Sequence, residues 1–389
     1  MRKISAQYVF TGESNPLKKA IIHATDDGVI SDVEYSGEEL EERASTEFYN
    51  GIIVPGFINC HCHLELSHML SLIEKGTGLG GFIRGVNTMR KAEVNEIVAA
   101  SVKADRQMYD EGIVACGDIS NSSLTFDVKK NSQVEYITFI EVFGADPSKA
   151  SKRIAEAEAV RTAAEEAGLH HYIVPHSVYS VSQELFSRLL EFRSSIVSMH
   201  FLESSDERLA VRHRCGPMID SYVALGIDPA SMDPPSSHLD IAVLLAQRSS
   251  RLILVHNTCI TEEEAGKIAE NGNISWCLCP SSNKYITGIL PPAEMLSKTK
   301  GQMVIGTDSL SSNNSLSILK ELKLLQESGP GIPLEDLIRW ATANGAETLG
   351  LNDSLGTISR GKKPGLLLIE NVDLQNMKLL PQSKVHRLL

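Results

Sequence analysis

This chain contains no apolar run approaching the roughly 20 residues that a membrane-spanning helix requires. Its amino terminus, MRKISAQYVF, also lacks the long apolar stretch of a secretory signal. Positive charge is in deficit: 37 Lys and Arg face 49 Asp and Glu, a formal net charge of −12. A clustered basic face for nucleic acid is therefore not expected. The seven cysteines are an odd number and do not form a secreted disulfide framework. Internal repeats, low-complexity tracts and long linkers are missing too. On these absences a globular, cytoplasmic protein is expected, with neither a membrane nor a nucleic acid as partner. Its 42% hydrophobic and 22% charged residues are ordinary globular proportions, enough for a large core.

The patterning divides the chain in three. Residues 1–55 read as short strands and turns, with extended runs at Ile4 to Phe10, Lys19 to His23 and Val29 to Tyr35. Residues 351–389 read the same way, with strands expected at Leu355 to Ile358 and Gly365 to Ile369. Together they predict a small β-sandwich built from both termini. Between them, residues 56–350 alternate apolar runs with amphipathic helical stretches. The runs are Phe57 to His63, Ile113 to Ile119, Tyr136 to Phe143, Tyr172 to His176, Ile196 to Leu202, Leu252 to His256, Ile274 to Cys279 and Met303 to Thr307. Helices are expected over Ala92 to Tyr109, Lys149 to Ala167, Leu239 to Gln247 and Thr261 to Asn271. Eight buried strands with intervening helices predict an α/β fold, a (β/α)₈ TIM barrel with its working residues at the strands' carboxyl ends. The widest gaps follow the first and fifth strands, and loops that cover a substrate are expected there.

Unusual residues gather where the apolar runs end. The first closes on His61-Cys62-His63, and the period of two along a strand points both imidazoles the same way, where they can grip one ion. The fifth ends near His200 with Glu203 just beyond, the sixth ends at His256, and Asp308 follows the eighth. A lone histidine at a strand end is ordinarily a hydrogen-bonded structural residue. The conjunction of all of these on one rim points to a metal site instead. Cys60, Cys62, Cys277 and Cys279 are read as packing residues, free cysteine being among the most buried types.

Several of these segments together resemble the amidohydrolase superfamily, in its branch of cytosine, guanine and adenosine-type deaminases and triazine chlorohydrolases. They are Pro55-Gly-Phe-Ile-Asn-Cys-His-Cys-His63, His200-Phe-Leu-Glu203, His256-Asn-Thr, Cys279-Pro-Ser-Ser-Asn283 and Gly306-Thr-Asp-Ser-Leu-Ser-Ser-Asn-Asn314. Ala341-Thr-Ala-Asn-Gly-Ala346 and Gly356-Thr-Ile-Ser-Arg-Gly-Lys362 resemble the closing helix and return strand. The resemblance implies that His61, His63, His200 and Asp308 hold one divalent metal ion, zinc by the donor set, with ferrous iron or manganese as alternatives. It implies Glu203 as general acid–base, His256 as the group steadying the attacking oxygen, and Asp308 as an aid in taking its proton. The fourth run, Tyr172-Ile-Val-Pro-His-Ser-Val-Tyr179, offers His176 where two-metal members place a carbamylated lysine, so one metal is expected.

His176, Asn283 and the loop arginines Arg84 and Arg212 are the expected substrate contacts, an arginine being suited to a substrate carboxylate. The resemblance implies a small heterocyclic substrate, with aminodeoxyfutalosine of menaquinone synthesis first. Its alternatives are S-adenosylhomocysteine or methylthioadenosine, guanine, cytosine, or a chlorotriazine. A catalytically silent scaffold is the reading of a different class, and it would need none of these residues. A homodimer is expected.

Overall fold

The computed structural model describes residues 1–35, 37, 45–235, 237–329 and 331–389. Strands β1 (Arg2–Val9), β2 (Leu17–Lys18), β3 (Ile21–Ala24), β4 (Ile30–Glu34) and β5 (Thr46–Pro55) come first. The central segment supplies β6 (Phe57–Cys62), β7 (Ile113–Ser120), β8 (Glu135–Val142), β9 (His170–Pro175), β10 (Ile196–Phe201), β11 (Arg251–His256), β12 (Ile274–Leu278) and β13 (Gln302–Ile305). The chain closes with β14 (Leu366–Asp373) and β15 (Lys378–Arg387). Every one of the eight expected central runs is a strand whose ends lie within two residues of those expected.

Those eight strands form two parallel sheets, β6-β7-β8-β9 and β10-β11-β12-β13. Strands such as β6, β10 and β12 are buried along their whole length, as parallel strands covered on both faces must be. The sheets meet at two seams. At one, the His200 amide donates to the His176 carbonyl at 2.8 Å; at the other, the Thr307 and Asp308 amides both donate to the His61 carbonyl at 3.0 Å. The second seam is tight. A Cβ on Gly306 would stand 2.8 Å from the Cβ of His61 and 2.9 Å from the Cys279 sulfur, so only glycine lets the backbone approach.

The four expected helices are present as Val94–Asp110, Ala150–Ala167, His238–Arg248 and Glu262–Ala269. Their ends carry ordinary signals. Gly168 takes a left-handed conformation after Ala167, and Thr261 with Glu264 makes a capping box before Glu262. The long loops after β6 and β10 are not bare. The first contains helix Gly78–Met89, the second contains helices Ser205–His213 and Pro217–Ala224, and helix 78–89 packs on helix 217–224.

Both termini join one seven-stranded sheet, in the order β15-β14-β5-β1-β3-β4 with β2 beside β1. Alternation along its strands separates two cores. Ile53, Leu366 and Leu368 face a cluster with Ile4, Ile22 and Ile30, whereas Ile52, Val54, Leu367 and Ile369 face the main body. Leu355 to Ile358 is not a strand: the segment is irregular, tied to the sheet by the Ile358 amide donating to the Thr11 carbonyl at 2.8 Å. Among the described residues, no helix is long and apolar enough to cross a membrane.

Candidate metal centre

The carboxyl ends of β6, β10, β11 and β13 turn inward at one place. Leu202, His256 and Asp308 all take left-handed φ values, 47°, 77° and 58°, so the chain bends sharply where each strand stops. Backbone strain of this kind persists only where surrounding contacts hold it, and it collects at functional sites. Here the holding contacts include the Asp308 amide on His61 and the Asn257 amide on the Phe201 carbonyl at 2.9 Å.

His61, His63, His200 and Asp308 converge there. One ligand atom from each lies within 4.8 Å of all the others, and all four residues are buried. The His63 Nε2 atom stands 3.2 Å from His61 Nε2, 3.3 Å from His200 Nε2 and 3.4 Å from Asp308 Oδ1. A tetrahedral ion with bonds near 2.1 Å separates its ligands by about 3.4 Å. The donor set therefore fits one small divalent cation. Burial pushes His61 and His63 below the ordinary imidazole range, which keeps their ring nitrogens available as ligands.

A second layer fixes these donors. His200 Nδ1 contacts the His176 carbonyl at 3.2 Å and the Glu141 carboxylate at 3.3 Å. Burial alone would lower the pKa of His200, but Glu141 outweighs it and raises the group to about 9. Such a partner orients a ligating imidazole and makes it a better donor. Asp308 turns its other oxygen, Oδ2, to the hydroxyls of Ser282 at 2.6 Å and Ser312 at 2.8 Å.

Glu203 and His256 stand beside the cluster, with Glu203 Oε2 3.7 Å from His256 Nε2. Burial lifts Glu203 to about 8, which favours the protonated form of its carboxyl group. The turn that presents it is pinned by Glu207, whose carboxylate accepts from the amides of Leu202, Glu203 and Ser204. Burial drives His256 down to about 3 and leaves the ring neutral. Asn283 Nδ2 lies 3.2 Å from His256 Nδ1, and an amide donating there keeps the ring proton on Nε2, toward Glu203. Asn283 thus lies behind His256 and does not line the cavity, contrary to its expected place as a substrate contact.

The cavity beside the cluster has a volume of about 320 Å³, in the range of a small-molecule site. His63, His176, His200, Glu203, His256 and Asp308 form its floor. His176 stacks on His200 with ring centroids 4.6 Å apart, and its Nδ1 engages the hydroxyls of Ser177 and Ser180, leaving the other ring nitrogen for a ligand. One wall comes from the helix after β6: Leu79, Phe82, Ile83, Val86, Asn87 and Arg90 recur at helical spacing. Tyr222, Leu225 and Ile227, on and after the helix that packs on this wall, line the cavity as well.

The two expected arginines fall outside this cavity. Arg84 sits off the lining face of its helix and is exposed, and Arg212 is exposed on the last turn of helix Ser205–His213. The cations that do line it are Arg90, Lys149 and Arg153. Helical phase was the signal: a face through Leu79, Ile83 and Val86 runs on to Arg90 and passes Arg84 by. Glu141 also escaped the sequence reading, although a charged residue near the end of the apolar run Tyr136 to Phe143 was the available sign. The four cysteines read as packing residues are free and buried.

Residues 52–386 match the family described as Amidohydrolase family. The chain is 26% identical over 327 residues to an adenosine deaminase of Helicobacter pylori, covering 82% of this chain and 79% of that protein. It is 26% identical over 386 residues to an aminodeoxyfutalosine deaminase of Nitratiruptor, covering 95% and 91%. A crystal structure of the Helicobacter pylori aminofutalosine deaminase with methylthio-coformycin superposes with a TM-score of 0.79 at 23% identity, covering 96% and 93% of the two chains.

Proposed function

The chain belongs to the amidohydrolase family and is a hydrolase acting on carbon–nitrogen bonds, and from that premise we propose that it deaminates an adenine-type nucleoside, aminodeoxyfutalosine first. The observation that carries this reading is the convergence of His61, His63, His200 and Asp308 within 4.8 Å, with the buried Glu203 and His256 beside them, 3.7 Å apart. We read the two four-stranded sheets as one closed (β/α)₈ barrel over residues 56–350. Residues 1–55 and 351–389 are then a β-sandwich curled round the core that holds Ile4, Ile22 and Leu368.

The four donors would hold one divalent ion, zinc by their chemistry, which supplies an activated water near neutral pH. Glu203 gives its proton to the ring nitrogen next to the amino-bearing carbon, as that carbon accepts the water oxygen. The resulting carboxylate takes a proton from that oxygen and passes it to the amino group. His256 donates from Nε2 to the added oxygen and steadies the tetrahedral carbon. The carbon–nitrogen bond then breaks and ammonia leaves. Of the two water protons, one departs in ammonia, and the other passes to the Glu203 carboxylate as the carbonyl forms, replacing the proton that Glu203 gave to the ring nitrogen. His176 lies where it can hold the heterocycle, and the cations Arg90, Lys149 and Arg153 support a substrate with a carboxylate on its far end.

Ammonia release from the zinc-loaded protein tests this. Aminodeoxyfutalosine, adenosine, S-adenosylhomocysteine, guanine, cytosine and a chlorotriazine make the panel. A preference for an adenine nucleoside is expected. Chloride release from the triazine with no ammonia from any amine would overturn it.

A further inference from the structure

Asp308 is the one carboxylate among the four converging donors, and a carboxylate can present either oxygen. Here the choice is made by neighbours. Oδ1 faces His63 at 3.4 Å and His61 at 3.7 Å, whereas Oδ2 accepts from Ser282 and Ser312. The two serines come from different loops. Ser282 belongs to helix Pro280–Ile286 after β12, and Ser312 lies in the loop after β13. Both are fully buried.

A single carboxylate joins those loops from behind. Glu321, on helix Ile318–Ser328, is 1% exposed. Its Oε2 accepts from the Ser281 amide at 2.8 Å and its Oε1 accepts from Asn313 Nδ2 at 2.9 Å. Ser281 precedes one serine of the pair and Asn313 follows the other. Asn313 Nδ2 also donates to the Thr307 carbonyl at 3.0 Å, which ties the bridge to the residue before Asp308. Neither Glu321, nor Asn313, nor either serine lines the cavity.

We infer that Glu321 is a positioning residue for the metal centre: by bridging the loops that carry Ser282 and Ser312, it clamps Asp308 with Oδ1 presented to the three imidazoles. A buried carboxylate left with only solvent-excluded apolar partners would forfeit much of its hydrogen bonding, so two hydroxyls on Oδ2 hold the group in one rotamer. The inference rests on the metal-centre reading but not on the identity of the substrate.

The test is the rate at which zinc passes to a chromogenic chelator from the holoenzyme, with KM and kcat measured alongside. In both Ser282→Ala/Ser312→Ala and Glu321→Gln, release should quicken about 10–100-fold, the usual size of an outer-layer effect on metal affinity. KM should stay within about twofold, because the cavity lining is intact. Adding Glu321→Gln to the serine pair should change release no further, since residues acting through one chain of contacts are not additive. If Glu321→Gln fails to fold, Asn313→Ala removes one arm of the bridge and is read in the same way. Unchanged release in the variants, or effects that multiply in the combination, would overturn the positioning role. A protein that binds no zinc at all would instead overturn the metal-centre reading beneath it.

Discussion

The terminal sheet and the central strand ends use the same pairing chemistry and obtain different things from it. In the sheet, Arg2 meets Glu47 at 2.7 Å and His386 meets Glu370 at 3.0 Å, and all four side chains keep much of their contact with water. In the interior, Lys129 meets Asp118 at 2.6 Å and His200 meets Glu141 at 3.3 Å, with little or no exposure. The distances match; the solvent does not. Water screens the outer pairs and leaves each worth less than about 1 kcal/mol, whereas an interior pair carries a large desolvation cost that only its partner offsets. Burial, more than contact, turns a charged pair into an instrument for setting proton and metal affinity.

The largest expected effect is at the buried carboxyl group that lines the cavity beside the donors. Glu203→Gln keeps shape and burial but removes the transferable proton, and kcat should fall about 10²–10⁴-fold with zinc content unchanged. Metal analysis beside the turnover assay checks both halves. Robust turnover would remove Glu203 as the proton carrier. His200→Ala should instead deplete zinc, because it removes one of four donors; full occupancy would mean the ligand set is wrong.

Next comes the fully buried pair. Lys129 stands between the rings of Phe126 and Tyr136 and donates to Ser120 and Thr138, while Asp118 accepts from the Leu64 amide just past His63. Lys129→Met strands the Asp118 charge and should cost about 3–5 kcal/mol in urea unfolding. Adding Asp118→Asn should recover part of that loss. A cost under about 1 kcal/mol would put the interior pair on the same footing as the exposed ones and break the contrast.

A smaller, selective effect is expected at the cavity's cationic end. The Arg153 guanidinium lies 5.5 Å over the Phe143 ring, half-exposed and paired with Glu156 at 2.8 Å. Arg153→Gln should lower kcat/KM about tenfold for a nucleoside with a carboxylate tail, the scale of one charge-assisted hydrogen bond. Adenosine, with no such tail, should be turned over as before. Equal losses on both substrates would assign Arg153 a structural role. Arg84→Gln and Arg212→Gln, both outside the lining, should leave both rates alone.

How far the sequence could be read follows the same divide. The eight central strands were legible because full burial leaves a run of apolar residues with little else in it, as Ile196 to Leu202 does. The gathering of His61, His63, His200, His256 and Asp308 was legible because parallel strands carry their end residues to one rim, whereas their division into donors and neighbours came from the family resemblance. The cavity wall was harder. Its residues come from short helices in long loops, Gly78–Met89 and Pro217–Ala224, where glycine and proline blur the periodicity. Arg84 and Arg212 were plausible by loop alone, and only helical phase separates them from Arg90. Glu321 and Ser312 could not be found from spacing, since their role arises where two loops and a helix meet.

The smallest effect belongs to the outer pair, and it has a signature that the interior pairs lack. Hydrogen bonds from Arg2 and then Tyr49 lower Glu47 to about 2, against an ordinary value of 4.5 in the unfolded chain. A depressed carboxylate contributes stability above its unfolded pKa and loses it as pH falls toward the folded one. The Arg2–Glu47 contribution should therefore be complete above about pH 4.5 and gone near pH 2, and exposure holds it below about 1 kcal/mol. Arg2→Gln also cuts the 2.7 Å bond to the Leu388 carbonyl, a loss that does not depend on pH. Urea midpoints of the native and variant proteins at pH 7 and pH 3 separate the two. The part of the gap that narrows at pH 3 belongs to the ion pair, and the part that remains belongs to the link with the carboxyl terminus. A gap that does not narrow would mean that Arg2 holds the sheet through Leu388 alone, with its charge on Glu47 contributing nothing measurable.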